Sequence, residues 1–179
     1  VATSYTPIYD ASLQQRVRSR YQLEIAELET RGFRRWDYCL ESLGPYSAIY
    51  KVAVLALAYV NKEVLVFPPP LQLAVATPIL AHEDDPPTMA MCMGLGIKFY
   101  SLFADGTLLI SPTFQSHAVP REGSRIIKPI PFSTIEGTWR SHRAQAAKIE
   151  SHGVIARAIH SFSDYVEMSR IEEDSSQYL

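Results

Sequence analysis

The sequence predicts an α+β fold: an N-terminal helix, a mostly antiparallel meandering sheet, and two C-terminal helices packed on that sheet. Three observations carry this. An apolar stripe at three- and four-residue steps runs through Ser12–Arg31, an alternating hairpin occupies Gly96–Ser111, and after Ser133 the apolar period returns to helical.

In the first segment Leu13, Val17, Tyr21, Ile25 and Leu28 form one face, and Gly32 is placed to end the helix in the left-handed conformation. Arg34 to Leu43 reads as a first strand, with Trp36, Tyr38 and Leu40 alternating against Asp37, Cys39 and Glu41, before a turn at Gly44-Pro45. Tyr46 to Val60 is rich in β-branched and aromatic residues and reads as a strand. Asn61-Lys62 then turns the chain into Glu63–Phe67, which the triple proline at 68–70 closes. Leu71 to Leu80 and Thr88 to Gly94 are further strands. Asp105-Gly106 supplies the tight turn of the central hairpin, Pro112 to Ser124 is irregular, and Arg125 to Ile130 is a last short strand.

Ser133 and Glu136 match a capping box for a helix whose stripe is Ile135, Trp139, Ala146 and Ile149, with Gly153 as its stop. Ile155, Ile159, Phe162 and Val166 set out a final helix. The expected organisation is one domain over 1–179, with 1–11 and 172–179 flexible. A meander of this kind lacks the strand-to-helix crevice of nucleotide-binding sheets.

A hydrophobic fraction of 47%, a charged fraction of 20% and a net charge of -2 in 179 residues describe a folded chain without electrostatic pull toward nucleic acid. No uninterrupted apolar run approaches the ~20 residues of a membrane span. Because the chain begins at Val1 rather than Met, its expected location is cytoplasmic or membrane-tethered. Cys39 and Cys92 are expected reduced and buried.

Candidates for chemistry are weak. His82-Glu83-Asp84-Asp85 reads as a solvated loop rather than a metal site, since no second ligand set stands at a recognised spacing. Met89, Met91 and Met93 read as core, and Arg16, Arg18 and Arg20 as a solvated helix face. The donors His117, Arg121, Ser124, Arg125 and Lys128 could hold a phosphate or carboxylate. Trp139 and His142, helical neighbours, complete the candidate ligand-binding set; His142 could act as a general base, against the alternative of a structural histidine at a helix–sheet seam. No cofactor motif, nucleophile motif or Gly-rich phosphate loop is present.

The run FADGTLLIS at 103–111, followed by a helix bearing Trp139 and His142, resembles a pattern in uncharacterised bacterial proteins, some of them membrane-tethered. That resemblance implies no activity. The expected function is a non-enzymatic module for protein interaction, including self-association, or for small-ligand binding. The alternative is a cone-shaped α+β enzyme or ligand carrier. A deep pocket with inward His, Asp or Arg favours the alternative, and an exposed apolar patch favours the module.

Overall fold

A computed structural model describes residues 3–42, 48–66, 73–84, 86–116 and 118–178. Two helical segments open the chain after a short strand, β1 (Ser4–Pro7): α1 (Ala11–Arg20) and α2 (Gln22–Glu29). Together they make the expected N-terminal helix, divided at Tyr21. Its apolar stripe continues through the break at Tyr21, where Tyr21 N–H still reaches the Val17 carbonyl and its own carbonyl accepts from Ile25. Asp10 caps α1, its carboxylate accepting from Leu13 N–H at 2.6 Å. Gly32 at φ 88° ends α2 as expected, with Phe33 N–H folded back on the Leu28 carbonyl.

Next come β2 (Arg34–Ser42), α3 (Ala48–Val60), β3 (Val64–Val66), β4 (Ala74–His82), β5 (Thr88–Met93), β6 (Gly96–Leu102) and β7 (Leu108–Pro112). β8 (Ala118–Pro120), β9 (Ile126–Ile127), α4 (Ile135–Glu150), α5 (Phe162–Ser175) and β10 (Ser176–Tyr178) complete the chain. The main sheet runs β1-β2-β4-β5-β6-β7-β9, with β3 also on β4; β10 pairs separately with β8. All pairings are antiparallel except β7 with β9. Gly106 at φ 86° makes the expected hairpin between β6 and β7. Pro78 sits inside β4 at low cost: β3 pairs with Ala74–Ala76 and β5 with Ile79–His82, so Pro78 falls between the two partners.

Several expectations are corrected. The segment read as a strand from Tyr46 is α3, because alanines and leucines (Ala53, Leu55, Ala56, Leu57, Ala58) interleave its valines and the run is too long for one strand. The terminal segments expected to be flexible carry regular structure: β1 joins the sheet beside β2, Glu172 is buried on α5, and β10 pairs with β8. Thr134 rather than Ser133 caps α4, accepting from Gly137 N–H at 3.0 Å. Glu136 instead meets Arg31 and Arg140. α5 starts at Phe162, since Ala156 bridges to Phe103 and holds the preceding chain extended. The Gly44-Pro45 turn and the triple proline lie outside the described residues.

The sheet is covered on both faces. α1, α2 and α4 pack one face through Val17, Tyr21, Leu28, Phe33, Phe99 and Trp139. α5 packs the other through Tyr165 and Met168 onto Met89, Met91, Tyr100 and Ile110. Cys39 lies on the face covered by α5 and Cys92 on the face covered by α1, α2 and α4, so the sheet separates the two buried free thiols.

Candidate functional site

His142 is fully buried where α4 crosses β6 and β7. Its Nε2 lies 2.9 Å from Ser101 Oγ and its Nδ1 2.8 Å from Ser111 Oγ. Ser101 also reaches the Pro87 carbonyl and Thr88, and the Thr88 hydroxyl donates to the Pro86 carbonyl. Every polar group in this set is satisfied with a neutral ring, and burial holds the imidazole pKa down at about 3. The Ser101–His142 contact resembles a nucleophile and its base, but both residues are fully buried. Trp139 closes the same face, packed against Phe33, His82 and Phe99.

The expected anion donors are divided among separate tasks. Arg125 donates to the Asp105 carbonyl, bracing the β6–β7 turn. Arg121 is exposed and ties β8 to α5 through its backbone N–H on the Ser175 carbonyl. The Ser124 hydroxyl is buried without a hydrogen-bond partner among the described residues, and Lys128 turns inward to Glu172 at 3.3 Å. His117 lies outside the described residues. His82 leaves the acidic loop to pack on Phe33, its Nδ1 2.8 Å from the Asp84 carbonyl, and Asp85 is outside the described residues. Met89 and Met91 fill the core under α5, and Tyr165 donates to the Met91 sulfur.

Sequence reasoning missed the group that α5 covers. Along β6, Phe99 and Ser101 face α4, which places Lys98 and Tyr100 under α5. Lys98 Nζ meets Glu172 Oε1 at 2.9 Å, and the Tyr100 hydroxyl donates to Glu172 Oε2 at 2.8 Å. Glu172 thus has two lysines and a phenol. Burial alone would raise its pKa, but Lys98 and Lys128 outweigh it and hold the carboxyl below its usual value. Burial lowers the Lys128 pKa against the pull of Glu172.

Beside this cluster is a cavity of about 110 Å³, lined by Tyr5, Glu41, Met91, Tyr100, Tyr165 and Glu173 among others. β1 and β2 place Tyr5 directly opposite Glu41. The Tyr5 hydroxyl donates to Glu173 at 2.7 Å. Glu41 has no hydrogen-bond or ion-pair partner among the described residues. Burial, with Glu173 and Glu172 nearby and only Lys98 opposing, lifts its pKa to about 7. One signal was available: Lys98 inside the apolar run Gly96–Leu102 needs a buried anion or an edge, and the unalternated Thr88–Met93 implies two covered faces.

Among the described residues no group of three or more His, Cys, Asp or Glu side chains is arranged to hold a metal ion. No family model, curated protein or solved structure matches this chain.

Proposed function

We propose that this chain is a non-enzymatic module that holds a small organic cation in the cavity between the sheet and α5. The observation that carries it is Glu41: a carboxylate with no hydrogen-bond or ion-pair partner among the described residues, lining a cavity whose lysine, Lys98, is already committed to Glu172. A positive ligand would give Glu41 a direct counter-charge, since Lys98 acts on it without an ion pair and is bonded to Glu172, with Glu173 as a second acceptor and Tyr5 and Tyr165 offering aromatic walls. A volume of about 110 Å³ admits only a few heavy atoms, since water itself occupies ~30 Å³; guanidinium or methylammonium is the right scale. The non-enzymatic half rests on the sealed His142 network and on a cavity lining without His, Asp or Arg.

Isothermal titration calorimetry with guanidinium and methylammonium chloride, against sodium chloride, tests this. Saturable binding is expected at pH 8, where Glu41 is ionised, and weaker binding at pH 5, where it is protonated. Glu41→Gln should weaken binding at pH 8 by about tenfold, the scale of one charge-assisted contact. No saturable heat at pH 8, or equal affinity in Glu41→Gln, would contradict the proposal.

A further inference from the structure

The described side chains of helix α3 are mostly exposed. Val52, Leu55, Leu57, Tyr59 and Val60 are exposed, as are the intervening Ala53 and Ala56, while Ala58 is buried. Leu57 is 58% and Tyr59 82% accessible, far beyond what a core helix shows. At 3.6 residues per turn these exposed positions sweep an arc of about 200°, and none carries a charge. The helix is fastened at its C-terminal end. Lys62 at φ 55° closes it, Glu63 N–H returns to the Ala58 carbonyl, and Arg20 of α1 donates to the Asn61 and Lys62 carbonyls at 2.8 Å each.

We propose that α3 seats this protein on a lipid bilayer, lying in the interface rather than crossing it. Length decides against crossing: 13 residues span ~20 Å, short of a ~30 Å hydrocarbon core, and no helix among the described residues is long and apolar enough to cross a membrane. The width of the arc decides between partners. A helix docked in a protein groove, or paired with a second copy, shows a stripe of ~100° with a polar back. Here the uncharged surface is about twice that wide, which a continuous apolar phase covers and one groove does not. Tyr59 adds an aromatic ring with a polar tip, suited to the headgroup level.

Charge at the fastened end agrees with anionic headgroups. Lys62 is exposed beside the clamp, and Arg16 lies one turn before Arg20 on the same face of α1. Glu24 offsets Arg20 at 3.5 Å, and Glu63 is turned to Gly94 N–H, so the balance there remains basic.

The test is co-sedimentation of the full chain with vesicles of phosphatidylcholine, with and without phosphatidylglycerol. The wild type should pellet with vesicles, more strongly when phosphatidylglycerol is present and less at high salt. Leu55→Glu with Leu57→Glu should lower the bound fraction by about tenfold or more. Both positions are exposed, so circular dichroism and the melting temperature should not change. A wild type that stays in the supernatant with both vesicle types overturns the proposal. So does a lipid-free dimer that becomes monomeric in the double variant, which would assign α3 to a second copy. Neither result bears on cation binding under α5, which calorimetry reads separately.

Discussion

The two faces of one sheet solve the burial of polar groups in opposite ways. Under α4, Ser101, Ser111, Thr88 and His142 are uncharged and close on one another and on backbone carbonyls. Under α5, one residue away along the same strand, Lys98 is charged and needs Glu172, while Glu41 faces a cavity without a partner. Neutral satisfied groups cost little in a dry interior, whereas a charge must be matched or kept near water. The α4 face is therefore suited to holding the fold, and the α5 face retains an unsatisfied charge that a ligand can meet.

The contrast is broken most severely at Glu172. Glu172→Ala would leave Lys98 and Lys128 facing each other in a buried site, and should cost about 3–5 kcal/mol in denaturant unfolding at pH 7. Adding Lys98→Met should recover much of that loss. A cost below about 1 kcal/mol would mean that solvent already screens the pair.

On the other face, His142→Ala should cost about 2–4 kcal/mol through the cavity and the abandoned serine hydroxyls. Its pH signature has a definite sign. The folded ring is held at about 3 against an ordinary 6.5, so the unfolded chain binds more protons between those values. Stability that is full above pH 6.5 is lost as pH falls toward 3, and the variant should lack that part of the acid loss.

Glu41 has the reverse sign. Its folded value of about 7 lies above the ordinary 4.5, so the folded chain holds the extra proton and stability falls as pH rises from 4.5 through 7. Glu41→Gln should therefore be more stable than the wild type at pH 8, by on the order of 1–3 kcal/mol, with no difference below pH 4.5. Chemical unfolding at both pH values reads it. Smallest of all, Tyr5→Phe removes one phenol donor from Glu173 and should cost about 0.5–1.5 kcal/mol.

How far each face could be read from the residues follows from the same physics. Local rules gave Gly32, Gly106 and the β6–β7 hairpin, because positive φ and two-residue alternation are written in neighbouring residues. They failed for α3, where valines between alanines suit either period and only the length of the run pointed to a helix. They also missed the pairing of Lys98 with Glu172, which are 74 residues apart and are joined only because α5 crosses the second face. Trp139 and His142 were placed at the seam between helix and sheet, but the serines that satisfy the ring come from β6 and β7. Position alone groups Lys128 with the loop donors, while its partner Glu172 stands in the segment expected to be flexible.

The difference between the faces can be measured directly by following the Glu41 side-chain carboxyl and the His142 imidazole by NMR through a pH titration of the folded protein. Glu41 should titrate near 7, and His142 should stay neutral until acid unfolds the chain. Titration of Glu41 near 4.5 together with His142 near 6.5 would contradict the contrast, since both groups would then behave as if exposed to water.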